Sequence, residues 1–328
     1  MALVGLPAPR GAAQSAPPAN ILAVVGRQVA WLNLEAPRHR PVSKLANSAN
    51  ALELTTQSDS SHAVVAAGGP FPGGGARGAD LLNLDLASGE TSPLLLRAES
   101  RESLNSPTWW SDRATLLFER QDLGGQTVGA PGQEVPRYPS RIERVMADGS
   151  GRGVLVAQGR QPSAAPDGTR LVLARTTSQG AALLLWSQAD GSISTLIPEG
   201  QFADVAYPQF SPHSDQVAFV APQSGRGNSQ PPAPAASGLD LAAAFFGPSV
   251  ASAHGIPWDP WVINVDGSGL RRVAETSADE PSVAWSPDQT QLFVYSGTGS
   301  YVVDAASGSA TALTFVTGYG PTVWLAGS

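Results

Sequence analysis

Side chains able to do chemistry are thinly spread along this 328-residue chain. The segment Gly73-Gly-Gly75-Ala-Arg-Gly78 matches the letters of a dinucleotide fingerprint. That motif works only when a strand precedes it and a helix follows, because the helix N-terminus must face the pyrophosphate. Here Pro70 and Pro72 stand before it and the apolar run Ala79 to Leu86 after it, which predicts a loop and then a strand. No Gly-Lys-Ser/Thr phosphate loop occurs, Lys44 being the single lysine, and no Gly-x-Ser-x-Gly elbow offers a serine nucleophile. The histidines His39, His62, His213 and His254 are far apart and form no His-x-x-x-His pair. His39 lies between two arginines and His213 in a turn, so both are expected in solvent. Asp148-Gly-Ser-Gly and Asp266-Gly-Ser-Gly look like pieces of calcium loops. A calcium site needs several converging oxygens, whereas one Asp before Gly is what a hairpin turn requires. The sequence therefore nominates no catalytic, cofactor-binding or metal-ligating residue.

Binding chemistry is better represented. Gln223 to Ala236 is mostly Pro, Gly, Ser and Ala, a composition that cannot build a core. Ser237 and Asp240 then form a capping pair, Leu239 to Phe246 continue a short helix, and Gly247-Pro248 end it. This helix is apolar on nearly every side and too short to stand alone in water. It packs on its own chain as a lid or docks a partner, and a peripheral membrane contact through residues 238–246 stays open. Beyond it, Ile256-Pro-Trp-Asp-Pro-Trp places Trp258 and Trp261 at a strand start. Large aromatics anchor interfaces. Trp261 is expected between sheets and Trp258, between prolines, in solvent. The candidate partner-binding residues are Leu241, Phe245, Phe246, Trp258 and Asp259.

The elements that position these residues emerge when the chain is compared with itself. Four segments share one grammar, opening at Pro107, Pro162, Pro208 and Pro281. Each is a short apolar strand, a Ser-Pro-Asp-type turn, and a second apolar strand: Thr115 to Glu119, Arg170 to Ala174, Gln216 to Ala221, Gln291 to Tyr295. Pro fixes φ and Asp bonds back to the backbone, which is why these residues make the turn. A degraded copy runs from Ala51 through Asp59 to Ala66. A hairpin follows each copy, turning at Ala87-Ser-Gly, Asp148-Gly, Asp190-Gly, Asp266-Gly and Ser307-Gly. The unit is four antiparallel strands. Residues 21–328 divided by six give about 51 per unit, close to the roughly 40 to 50 of propeller blades.

The ends fit a ring. Ile21 to Val25, Gln28 to Leu34 and Val42 to Leu45 supply three strands without an opening Pro-x-x-Ser strand, which appears instead at Pro321-Thr-Val-Trp-Leu-Ala. The predicted fold is all-β, a six-bladed β-propeller of four-stranded antiparallel blades, closed by the C-terminal strand at the hub of the first blade. Residues 1–20, rich in Ala and Pro, read as a flexible leader, and residues 21–328 as a single propeller domain with an insertion at 222–257. Loops after the first and third strands of each blade are tight. The long ones, Gly68 to Ala79, Gln121 to Pro139 and Pro222 to Pro257, all follow second strands and so share one face. Insertions confined to one face commonly mark binding.

Composition agrees. Gly (35) and Pro (28) are abundant while only 14% of residues are charged, a balance that favours turns and short strands over long helices. The net charge of −7 and scattered arginines argue against nucleic acid, which demands a concentrated basic surface. No apolar run reaches the roughly 18 residues of a membrane span. Cysteine is absent, so disulfides and thiolate metal sites are excluded while the compartment stays open.

The Pro-x-x-Ser-Pro-Asp-Gly grammar resembles the TolB-type propeller repeat, a relative of the WD-repeat blade, over roughly Ile21 to Ala326. The resemblance implies a propeller and a bacterial, extracytoplasmic (periplasmic or cell-surface) recognition module. No separate N-terminal domain precedes the repeats, so TolB's partners do not carry over. The expected function is non-enzymatic protein binding or scaffolding through the insertion-bearing face. Two alternatives stand beside it: a hydrolase or lyase acting on a sugar or peptide in the central channel, and a structural subunit of an assembly.

Overall fold

A computed structural model describes residues 20–34, 38–46, 48–57, 61–71, 77–128, 135–177, 180–222 and 257–325. Among them lie six four-stranded antiparallel sheets. Blade one takes Val323–Leu325 as its innermost strand, followed outward by Asn20–Val25, Gln28–Asn33 and Arg38–Pro41. The closing register is Asn20 with Leu325, Ile21 with Trp324 and Leu22 with Val323. The C-terminal strand thus seals the first blade, as the missing repeat predicts. From hub to rim, blade two is Asn50–Thr56, His62–Pro70, Arg77–Asp85 and Thr91–Leu95. Blade three is Glu102–Trp109, Thr115–Asp122, Ser140–Met146 and Gly153–Val156. Blade four is Arg160–Ala164, Arg170–Thr177, Gly180–Ser187 and Ile193–Phe202. Blade five is Ala206–Phe210, Gln216–Pro222, Trp258–Asn264 and Arg271–Arg272. Blade six is Ser282–Trp285, Gln291–Tyr295, Ser300–Asp304 and Ala310–Leu313.

One strand differs from expectation. The rim strand of blade one is Arg38–Pro41, paired with Ala30 to Asn33, and not Val42 to Leu45. Val42 N and Ser43 N both donate to Val29 O, at 2.8 and 3.3 Å, which breaks the ladder there. Ser43 Oγ accepts from Val29 N at 2.9 Å, and Leu45 turns into the core between blades one and two. The apolar residues of this run cross between blades.

Each blade is apolar on both faces because it has a neighbour on both sides, so its inner strands read as continuous apolar runs. Adjacent residues of one strand serve different interfaces. Val65 packs with Leu22 and Val24 of blade one, whereas Val64 packs with Leu104 and Phe118 of blade three. The remaining interfaces follow suit, through Leu171 and Leu184 against Ile142, Phe219 against Leu183 and Phe202, and Leu292 against Val262. At the seam, Phe293 and Tyr295 of blade six meet Ile21, Ala23 and Leu32 of blade one. Trp109, Trp110 and Trp285 all pack in these layers, as their positions before the turns suggest.

The turns follow the predicted chemistry. Asp112 Oδ1 accepts from Ala114 N and Thr115 N, both at 2.8 Å, and Asp167 Oδ1 accepts from Thr169 N at 2.9 Å. Asp148 and Asp266 accept from Ser150 N (2.9 Å) and Ser268 N (2.8 Å), so both act as turn aspartates. His39 and His213 are exposed.

Candidate functional site

Five of the six innermost strands contain, or are led into by, a residue followed by proline: Ser106-Pro107, Gln161-Pro162, Tyr207-Pro208, Glu280-Pro281 and Gly320-Pro321. The residue before each proline is left-handed, with φ of 48°, 51°, 48°, 43° and 94°. This conformation costs a side-chain-bearing residue on the order of 1–2 kcal/mol, so something must hold it. The register breaks at the same points, between Asn105 and Thr108, Arg160 and Ser163, and Ala206 and Gln209. These bulges turn the freed N–H groups toward the preceding blade.

An acceptor from that blade meets each of three. Glu53 of blade two takes Ser106 N on Oε2, in a short bond, and Ser106 Oγ on Oε1 at 3.2 Å. Glu119 of blade three takes Gln161 N at 3.1 Å and Ser140 Oγ at 2.6 Å. Gln161 of blade four in turn offers Oε1 to Tyr207 N at 2.9 Å. Arg160 bonds Asp204, Val205 O at 2.7 Å and Gln161. Around these groups the channel closes to a cavity of about 50 Å³, lined by Thr55, Ser106, Gln161, Tyr207 and Thr322 among others.

Burial dominates the electrostatics. It lifts the Glu53 carboxyl to about 7, aided by the Glu119 charge and opposed by the Ser106 hydrogen bonds. Burial also raises Glu119 and raises Asp204, the latter against the pull of Arg160. The Tyr207 phenol is pushed far up by burial, with the charges of Glu53 and Glu280 adding to it. Carboxylates and an arginine do converge at the hub, as a channel enzyme would need. Each, however, is committed to backbone or to a neighbour. The cavity, moreover, is far below the roughly 300–1,000 Å³ of a small-molecule site. Sequence reasoning missed Glu53, Glu119, Arg160, Gln161, Asp204 and Tyr207; the signal available was the residue before each repeat proline.

The insertion-bearing face lies at the same end as these steps. Blade two's expected loop is largely strand, with Gly68 paired to Ala79, Gly69 to Gly78 and Pro70 to Arg77. A Cβ at Gly78 would stand 2.4 Å from Glu102 O, so only glycine permits this approach. The expected loop Gln121 to Pro139 contains a ribbon, Gln126–Val128 with Val135–Arg137. Beneath both lie buried ions. Arg97, its side chain 1% exposed, meets Asp80 at 3.0 Å and donates to Gly69 O at 3.2 Å. Glu102 meets Arg120 and Arg152; burial works against its charge, but the Arg152 and Ala98 hydrogen bonds hold it below the usual range.

Of the nominated residues, Leu241, Phe245 and Phe246 lie outside the described residues. Trp258 and Asp259 open the third strand of blade five, and the expectation that Trp258 is in solvent is corrected. It is 3% exposed and packs with Val262, Val283 and Leu292. Its flanking prolines do not hold it out, because Trp258 N and O exchange bonds with Ala278 at 3.0 and 3.1 Å. Asp259 is 0% exposed; Oδ1 accepts from Thr276 N (2.8 Å) and Ser277 N (3.1 Å), and Oδ2 meets Arg272 at 3.2 Å. Trp261 packs edge-on against Phe202, centroids 5.0 Å apart, between blades four and five as expected. No helix among the described residues is long and apolar enough to cross a membrane.

No family model matches the chain, and no curated protein matches its sequence. Solved structures do match its fold. TolB from Acinetobacter baumannii aligns over 93% of this chain at 13% identity and a TM-score of 0.64, and this chain spans 66% of that one. A chain of a nidogen/laminin complex aligns over 93% of this chain and 97% of its own length, at 12% identity and a TM-score of 0.64. An oligogalacturonate lyase from Vibrio parahaemolyticus covers 87% of this chain and 70% of its own, at 10% identity and a TM-score of 0.52. At such identities the likeness concerns fold alone. The chain is by fold a six-bladed β-propeller, similar to the propeller of TolB.

Proposed function

We propose that the chain is a recognition propeller, holding a protein partner on the face from which its long insertions rise. The observation that supports this reading is their placement. In antiparallel four-stranded blades, connections after second strands fall on one side of the disc. The extended hairpin of blade two, the ribbon of blade three and residues 223–256 of blade five all follow second strands. Leu241, Phe245 and Phe246 supply the apolar contacts in this reading, while Trp258 and Asp259 fix the base of their segment. The nidogen/laminin likeness is consistent with a propeller that meets a protein. The TolB resemblance adds an extracytoplasmic setting. The hub carboxylates and the lyase likeness favour one alternative, a hydrolase or lyase with its site in the channel. The size of that cavity and the bonds on Glu53 and Glu119 weigh against it.

Cross-linking mass spectrometry on the chain purified from its native source tests the reading. Cross-links to a copurifying protein are expected around Arg77, Gln126 to Arg137 and residues 223–256, and are expected to vanish in Phe245→Asp/Phe246→Asp. A partner that cross-links at the Asp-Gly turns, or is retained in full by the double variant, would end the proposal.

A further inference from the structure

The rim of blade one carries a charge pattern that the insertion-bearing face does not explain. Its last strand, Arg38–Pro41, pairs on one side only among the described residues, and all four of its residues are exposed. Val42 N bonds Val29 O, so by antiparallel alternation Arg40 and Arg38 turn their backbone groups to the neighbouring strand, and the outer edge offers His39 N–H and C=O and Pro41 C=O. Arg40 lies directly across from Trp31 and Arg38 across from Asn33, so both guanidiniums share a sheet face with the half-buried indole. Trp31, Leu32, Asn33 and Arg38 to Arg40 border an open groove of about 470 Å³.

The charge is also uncompensated. Several other arginines in this acidic chain are taken up: Arg97 by Asp80, Arg120 and Arg152 by Glu102, Arg160 by Asp204, Arg175 by Glu199. Arg38, His39 and Arg40 make no ion pair with any described carboxylate.

We propose that this edge docks an extended acidic segment of a partner protein, which adds to blade one as a further strand. Strand addition draws affinity from main-chain bonds and specificity from alternate side chains. Arg38 and Arg40 are two residues apart, about 7 Å along the strand, so carboxylates at every second position of an incoming strand match both. A second copy of this chain is disfavoured, because pairing the edge with itself sets arginine against arginine. Nucleic acid is disfavoured by the net charge of −7 and the shortness of the basic run. Pro41 offers no N–H, so main-chain recognition centres on His39, with the Arg38 and Arg40 side chains and the groove beside them supplying the rest.

The test uses the full chain and fluorescein-labelled peptides read by anisotropy. A peptide alternating glutamate and valine is expected to bind, and a lysine–valine counterpart is not. Arg38→Glu/Arg40→Glu should weaken the acidic peptide by about tenfold or more while leaving the unfolding midpoint unchanged, since both positions are exposed. Equal binding by this variant would overturn the proposal. So would equal binding of a glutamate–proline peptide, because with its glutamates opposite Arg38 and Arg40 a proline without N–H falls opposite His39, and attraction would then rest on charge alone. Tighter binding of a sulfated oligosaccharide than of the acidic peptide would overturn it in favour of a polyanion site.

Discussion

Glu53 offers the sharpest test of how this hub is held. Its carboxyl sits in the innermost strand of blade two, 3% exposed, with both oxygens bonded to Ser106. Burial raises its pKa from 4.5 to about 7, so the folded chain holds a proton that the unfolded chain has released between those values. A raised folded pKa contributes stability in full below 4.5, and that contribution falls away as pH rises through 7. About 2.5 pH units at about 1.4 kcal/mol each amount to roughly 3–4 kcal/mol lost across this window. Glu53→Gln keeps an acceptor for Ser106 and cannot ionise. It forfeits one of two hydrogen bonds, roughly 1 kcal/mol. The variant should therefore match or fall slightly below wild type near about pH 5 and exceed it by about 2 kcal/mol near about pH 8.5. Urea unfolding followed by tryptophan fluorescence at both pH values gives the difference. Asp204, also raised by burial, is the same in both chains and cancels, whereas Glu119 is relieved of the Glu53 charge at high pH, which adds to the difference in the same direction. Parallel pH profiles for the two chains would refute the reasoning, because Glu53 would then ionise alike folded and unfolded.

Gln161→Ala leaves Tyr207 N without its acceptor beside a buried phenol, and should cost about 1–3 kcal/mol in urea unfolding; a midpoint unchanged from wild type would show the bond to be idle. Removing Thr322 to Ser328 takes away the strand paired to Asn20, Ile21 and Leu22 and leaves a bare edge at the hub. The truncated chain should lose its cooperative transition and self-associate in sedimentation, whereas a monodisperse product with the native midpoint would mean that the ring does not depend on this closure.

The parts of this fold that were legible in sequence are those in which one residue type has one physical job. Asp before Gly or Ser makes its own turn, at Asp148, Asp167, Asp190 and Asp266 alike, so the repeat and its four strands could be read directly. The absence of an opening strand at Ile21 and its presence at Thr322 revealed the closure. Hydrophobicity misled where a segment is buried without being a strand. Val42 to Leu45 is apolar because it passes between two blades, while the true rim strand, Arg-His-Arg-Pro, looks like a loop. Trp258 misled for a related reason, since flanking prolines say nothing about a bridge to a distant Ala278. The hub acceptors were invisible because they share no position: Glu53 and Gln161 lie on first strands, Glu119 on a second. Only the left-handed residue they cap recurs.

That recurrence also explains why the closing blade is built differently. In blades three to five the residue before proline carries a side chain, and an acceptor from the preceding blade offsets its strain. At the closing strand the residue is Gly320, which adopts φ of 94° without penalty. A Cβ there would lie 2.3 Å from Leu52 O of the next blade, so glycine is required by space as well as by conformation. The seam is secured by side chains of blade six instead, Ser282 Oγ donating to Gly320 O at 2.7 Å and the Tyr295 hydroxyl to Val24 O at 2.6 Å. The first-blade strands on which the C-terminal strand docks lie about 300 residues away in the chain, so this pairing carries the longest loop-closure cost in the molecule. Placing the least strained step where that entropy cost is greatest keeps the ring closed without asking the hub carboxylates to do it.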